Sequence, residues 1–129
     1  YASKEEHFGE EVWVHRKGAT SAEEDELGII PGSQGSKSYI VRGKGNPESF
    51  KSCSHGAGRT MSRTQAKKDI DLEESKKKME DKGIIHAVRN KGDLDEAPEA
   101  YKDISKVMKN QEDLVDIEVE LTPLGVIKG

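Results

Sequence analysis

A single cysteine, four prolines and an aromatic content of 5% narrow what this chain can be. Cys53, standing alone, excludes an internal disulfide framework and any Cys-x-x-Cys metal or redox motif, and it fits a reducing compartment. Apolar residues make up only 32% of the chain against 36% charged, with a mean hydropathy of −0.85. No apolar run is long enough to cross a bilayer, and the expectation is a soluble, cytoplasmic protein. Basic residues are not in excess either. A net charge of −4 argues against a generic polyanion binder, although a local basic pocket is compatible with an acidic surface. There is no internal repeat, no P-loop and no Ser-His-Asp order, and the four histidines are too scattered for a self-contained zinc site.

The length of 129 residues supports one domain. The apolar supply, however, is low for an independent globule. A piece of a larger domain shows the same deficit, because its apolar faces pack on residues elsewhere. The chain also opens at Tyr1 in mid-pattern. It is therefore expected to be the C-terminal part of a longer protein, and residues 1–129 alone are expected to be aggregation-prone or only partly ordered.

What is present in strength is the stretch Ser52-Cys53-Ser54-His55-Gly56-Ala57-Gly58-Arg59-Thr60-Met61-Ser62-Arg63. It sets one imidazole between a small-residue turn and two guanidiniums. Gly56 and Gly58 let a ligand approach the main chain closely, and successive amides in such a turn suit anionic oxygens. Arg59 and Arg63 would share one face of a helix running from Arg59 to Lys68, whose N-terminal dipole would add to the cradle. Two readings stand side by side: a phosphate cradle with a nucleophile or metal ligand at its lip, and a plain glycine turn with a structural histidine and two solvated arginines.

The remaining elements follow in order. Tyr1 to Gly9 is charged and mixed, a short helix or loop. Glu11 to His15 alternates as a half-buried strand does. Lys17 to Thr20 makes a turn and Ser21 to Glu26 an acidic exposed loop; Lys17 by spacing alone is a solvated lysine. Gly28 to Gly35 is a short apolar pair feeding Pro31-Gly32-Ser33-Gln34-Gly35-Ser36, by itself a surface turn between strands, and Ser38 to Val41 is a strand. Asp71 with Glu74 three residues on marks a second helix ending before Gly83, and its lysines read as solvated surface. Ile84 to Val88 suggests a strand with His86 structural. Ile104, Val107 and Met108 recur at helical spacing as core up to Asn110. Leu114 to Ile127 alternates as a closing strand broken by Pro123. The whole is an α+β pattern of short strands and helices.

The segment Cys-Ser-His-Gly-Ala-Gly-Arg-x-Met-Ser-Arg-Thr-x-Ala-Lys-Lys resembles the active-site segment of the RtcB family of RNA-splicing ligases. Ordered similarity continues at His15-Arg16-Lys17-Gly18-Ala19, Gly28-Ile29-Ile30-Pro31-Gly32-Ser33-x-Gly35, Glu96-Ala97-Pro98-x-Ala100-Tyr101-Lys102-Asp103 and Val126-Ile127-Lys128-Gly129, and is weakest from roughly Asp69 to Asp93. The resemblance implies that residues 1–129 form the C-terminal segment of a single, larger ligase domain. It implies an RNA ligase that joins 3′-phosphate or 2′,3′-cyclic phosphate ends to 5′-hydroxyl ends with GTP and Mn²⁺.

His55 matches the histidine that carries GMP. Pro31, Gly32, Ser33, Gln34, Ser38, Gly56, Ala57, Gly58, Arg59, Lys17 and Tyr101 are implied at the GTP pocket, with Lys128 as a guanine contact. Gln34 stands where Met is common in the family. None of the family's metal ligands maps onto this chain; they are expected upstream of Tyr1. Implied partners are broken RNA ends, GTP, the remainder of the ligase polypeptide and an activating protein, with no membrane. Two rival classes are a non-catalytic nucleotide-binding fragment and a histidine-phosphorylated phosphotransferase.

Overall fold

The computed structural model of the chain describes residues 1–127, and it contains both helices and strands in an α+β arrangement. The N-terminal residues form a strand, β1 (Ala2–His7), where the sequence suggested a helix or loop. β1 pairs antiparallel with β2 (Glu10–His15) through Phe8 and Gly9, both at positive φ (53° and 79°), the signature of a type I′ hairpin turn. The charges of β1 obscure its alternation. Ser3, Glu5 and His7 face inward; a buried arginine meets Ser3 and Glu5, and Glu5 in turn meets His7.

That arginine is Arg16, only 5% exposed. Its Nη1 and Nη2 donate to the two carboxylate oxygens of Glu5 at 2.5 and 2.8 Å, its Nε donates to Ser52 Oγ at 2.9 Å, and Nη2 also donates to the Phe50 carbonyl at 3.1 Å. Glu5 further accepts from Ser3 Oγ and meets His7 Nε2 at 2.8 Å. Phe50 and Lys51 both adopt left-handed φ beside the carbonyl that meets Arg16. This network joins the hairpin to β6 (Ser52–Ser54), which pairs antiparallel with β3 (Ala19–Ser21).

β4 (Leu27–Ile30), β5 (Ser38–Gly43) and β8 (Val115–Leu121) form a three-stranded antiparallel sheet with β5 central and a bulge at Ile40/Val41. Its inner face, with Ile30, Tyr39, Val41 and Val115, packs with Ala22 and Cys53 on Ile104 and Met108 of α3 (Ile104–Lys109). Ala22 is thus buried within the stretch read as an exposed loop. Burial also pushes the Cys53 thiol pKa upward.

A second core joins α1 (Arg63–Asp69), α2 (Leu72–Asp81) and the 3₁₀ turns Lys91–Glu96 and Pro98–Ala100 through Ala66, Ile70, Met79, Ile84, Val88, Leu94, Ala97 and Ala100. Asp71 caps α2 by accepting from the Glu74 amide at 2.8 Å, as its sequence foretells. The strand expected over Ile84 to Val88 shrinks to β7 (Ile85–His86), parallel to β9 (Gly125–Val126). His86 is structural: Nδ1 accepts from the Val88 amide at 3.3 Å and Nε2 lies 2.9 Å from Glu80.

Hydrogen bonds from the Arg16 guanidinium hold the Glu5 carboxyl well below the usual carboxylate range. A carboxylate whose folded-state pKa is depressed contributes stability above its unfolded pKa and loses it as pH falls through the folded value. In the full-length protein, Glu5→Ala leaves Arg16 buried and unpaired and is expected to cost about 3–5 kcal/mol in denaturant unfolding at neutral pH. Glu5→Gln is expected to flatten the loss of stability that the wild type shows on acidification below the ordinary carboxylate range.

Candidate functional site

The two cores meet along a seam, and the segment that follows β6 runs along it. Ala57 packs against the first core, while Met61 and Tyr101 pack against the second. A cleft of about 470 Å³ opens there, lined by Pro31, Gly32, His55, Gly56, Ala57, Gly58, Arg59, Arg63, Glu96 and Tyr101. That volume suits a small-molecule ligand.

His55 is exposed at the lip. Its backbone amide donates to the Gly18 carbonyl at 3.2 Å, and its ring lies over Gly18, where an added Cβ would stand 3.9 Å from Cδ2 and Nε2. Among the described residues no group hydrogen-bonds to the imidazole, so its tautomer is not set by them. The amides of Gly56, Ala57 and Gly58 likewise donate to no group among the described residues, although their neighbours do: Thr60 N–H bonds to Ala100 and Lys102 N–H to the Gly58 carbonyl, both at 2.9 Å. Gly58, at φ +76°, makes the turn that a side chain would strain.

The helix predicted from Arg59 begins instead at Arg63. Ser62 caps it by accepting from the Gln65 amide at 3.1 Å, and Arg59 is drawn away into a bridge opposite Tyr101. The helix start is therefore displaced from the glycine turn, and the two arginines share no helical face. They converge by another route, on Glu96: Arg63 Nη2 lies 3.1 Å and Arg59 Nη1 3.6 Å from its Oε1. Arg59 also donates from Nε to Met61 O and from Nη1 to Tyr101 Oη, each at 3.0 Å, and its guanidinium lies 4.9 Å over the Tyr101 ring. Arg59 Nη2 is buried with no partner among the described residues. Tyr101 Oη donates to Glu96 Oε2, and burial first, then that bond, raises the tyrosine pKa.

Of the residues singled out in the sequence, Pro31, Gly32, His55, Gly56, Ala57, Gly58, Arg59 and Tyr101 line this cleft together. Ser38 and Ser33 serve the adjoining turn: Ser38 Oγ accepts from the Gly32 amide at 2.9 Å, and Ser33 and Ser36 hydroxyls meet at 2.5 Å. Gln34 is buried, its amide donating to the Asp93 carbonyl at 3.4 Å, so that side chain ties the turn to the second core and does not face the cleft. Lys17 is exposed next to Gly18 without lining the cleft. Lys128 lies outside the described residues. Arg63 and Glu96 complete the lining. The Arg59/Arg63 spacing signalled the first, whereas no local pattern marks Glu96, a carboxylate brought to the cleft by the 3₁₀ turn Lys91–Glu96. Among the described residues no group of three or more His, Cys, Asp or Glu side chains is placed to hold a metal ion, and no helix is long and apolar enough to cross a membrane.

The glycines can be told apart by the space around them. A Cβ on Gly32 would stand 2.1 Å from the Lys37 carbonyl oxygen, whereas on Gly56 it would stand 3.5 Å from the Pro31 carbonyl. Gly32→Ala is therefore expected to destabilise the full-length protein by about 1–3 kcal/mol or more, and Gly56→Ala by less than about 1 kcal/mol, in denaturant titrations.

Comparison with known proteins shows a match to the family model described as tRNA-splicing ligase RtcB over residues 1–129. The chain is 51% identical over 129 residues to the RNA-splicing ligase RtcB of Escherichia coli K12, covering 100% of this chain and 31% of that protein. It is 39% identical over 135 residues to the RNA-splicing ligase RtcB of Mycobacterium tuberculosis, covering 92% of this chain and 31% of that protein. It is 39% identical over 144 residues to the tRNA-splicing ligase RtcB of Methanopyrus kandleri, covering 94% and 15% respectively. The chain thus spans less than a third of the length of these relatives.

Proposed function

The chain belongs to the tRNA-splicing ligase RtcB family, and on that premise we propose that it carries the guanylylation centre of a GTP- and Mn²⁺-dependent RNA ligase. In this reading the enzyme joins RNA 3′-phosphate or 2′,3′-cyclic phosphate ends to 5′-hydroxyl ends, in tRNA splicing and RNA repair, and works in the cytoplasm. The observation that carries it is the set of donors around His55. The unpaired amides of Gly56, Ala57 and Gly58 and the guanidiniums of Arg59 and Arg63 line one cleft with an exposed imidazole. Such a set suits the oxygens of a phosphoryl group whose negative charge grows during transfer.

A neutral imidazole is a nucleophile near pH 7 without prior deprotonation. A ring nitrogen of His55 forms the P–N bond to the α-phosphorus of GTP, the bond to the bridging oxygen breaks, and pyrophosphate leaves with that electron pair. The ring then sheds its remaining N–H proton to solvent. A 2′,3′-cyclic end is first opened by water, which adds to phosphorus as the bond to the 2′-oxygen breaks and that oxygen takes the proton. GMP then passes from His55 to the RNA 3′-phosphate oxygen as the P–N bond breaks. The 5′-hydroxyl oxygen finally attacks that activated phosphate, loses its proton, and GMP departs. Tyr101 walls the nucleotide side of the cleft; Pro31, Gly32, Ser33 and Ser38 form the turn beside it; Lys17 and Lys128 are further contacts in this reading.

The described residues offer no converging set of metal ligands. They do not fit Mn²⁺ by themselves. The remainder of the ligase polypeptide is assigned the metal ligands. It is also assigned the outer face of the sheet, where Leu27, Ile29, Val119 and Leu121 are exposed. RNA ends, GTP and an activating protein complete the proposed partners.

The test is incubation of the full-length protein with α-labelled or γ-labelled GTP and Mn²⁺. The wild type is expected to retain only the α label, in an acid-labile, alkali-stable bond, and His55→Ala to lose it by at least roughly a thousandfold. Retention of neither label would instead mark a non-catalytic nucleotide binder or a histidine-phosphorylated phosphotransferase, the latter told apart by labelling of His55 from a non-nucleotide phosphoryl donor.

A further inference from the structure

We propose that Glu96 is a positioning residue: it holds Arg63 aimed at the cleft beside a fixed Arg59, and yields that guanidinium to an incoming phosphoryl group. The inference rests on the functional reading above only for the identity of that group, the phosphate of a nucleotide or of an RNA end.

The two arginines are held very differently. Arg59 is 25% exposed and is tied at three points, by Met61 O, by Tyr101 Oη and by its stack on the Tyr101 ring. Arg63 is 71% exposed, and Glu96 is its one side-chain partner among the described residues. Its backbone starts α1 behind the Ser62 cap and is fixed; its guanidinium is anchored at one point. Glu96 itself is 33% exposed and well founded. It closes the 3₁₀ turn Lys91–Glu96, which packs against α1 through Leu94 and Ala66, and its second oxygen takes the Tyr101 hydroxyl.

An ion pair as exposed as Arg63–Glu96 is weak. A phosphoryl group offers several oxygens and up to two charges to the same planar fork, and it reaches Arg59 at the same time. The ligand therefore wins the exchange. Until it arrives, Glu96 spares binding the full cost of ordering a long side chain, and its charge offsets the guanidiniums, so the cleft is a poorer trap for stray anions. The hydroxyl proton of Tyr101 is committed to Glu96.

Glu96→Gln keeps an oxygen for Tyr101 and removes the competing charge. In the full-length ligase, with inorganic phosphate as the probe, this variant is expected to bind phosphate roughly five- to tenfold more tightly, the effect of one unit charge at contact distance in near-aqueous surroundings. The single-turnover rate of RNA joining at saturating GTP and RNA is expected to fall by roughly tenfold or more, because Arg63 is no longer pre-aimed. Opposite signs for affinity and rate are what a merely structural role does not produce. Glu96→Asp should restore phosphate affinity towards the wild-type value. Arg63→Ala, a change at an exposed side chain that leaves the fold intact, should weaken phosphate binding by itself and cancel the gain when combined with Glu96→Gln. The proposal is overturned if Glu96→Gln weakens or leaves unchanged the binding of phosphate, if its joining rate is unaltered, or if the gain persists without Arg63. Failure of the functional reading shows separately, as absence of the GMP label on the wild type, and the phosphate titrations are read independently of it.

Discussion

The buried guanidinium of Arg16 is the constraint on which the site depends. Its fork is shared between Glu5 on the first strand and the segment Phe50–Ser52, elements far apart in sequence. Burying such a charge is costly unless every donor is met. The geometry that meets them brings the N-terminal hairpin, the Gly18 turn and the third and sixth strands together. Their strand pairing, Ala19 with Ser54, continues into the bond from the His55 amide to the Gly18 carbonyl. The exposed imidazole is thus placed from behind by a buried salt bridge and a glycine.

From the other side the site is placed by the junction of two cores. One is built on a three-stranded sheet and the other on short helices and 3₁₀ turns. Each alone is small, and the polar seam between them takes the backbone amides and arginines that neither interior could bury. Glycines keep the turns at the seam tight: Gly32 has no room for a methyl against Lys37, and Gly58 needs a left-handed backbone. The outer face of the sheet remains apolar and open at Leu27, Ile29, Val119 and Leu121. This matches the low apolar content of the chain and its coverage of only 31% of the Escherichia coli relative.

Local chemistry was legible in the sequence. The Asp71 cap, the strand at Ser38 to Val41, the helical stripe at Ile104 and Met108, and the structural role of His86 all follow from short-range pattern, and the structure has them. The glycine turn around His55 also stood out, and most of the residues assigned to the site through family resemblance do line one cleft. What escaped was long-range pairing. The strand Ala2–His7 turns Ser3, Glu5 and His7 inward, and only a buried arginine makes that pattern sensible. The helix expected at Arg59 starts later because Arg59 pairs with Tyr101, and nothing local to Arg59 announces it. Glu96 belongs to the cleft through a turn of the second core, and Gln34 leaves it by bonding to Asp93.

His55, among four histidines and a neighbouring Lys17, is the residue proposed to take the nucleotide. The most direct measurement is tandem mass spectrometry of the full-length protein trapped with GTP and Mn²⁺ and digested under alkaline conditions, to read which side chain carries GMP. The expected result is GMP on the peptide containing Cys53 to Arg59, with fragment ions placing it on His55. GMP on Lys17, on His7, His15 or His86, or on a residue outside this segment would contradict the account.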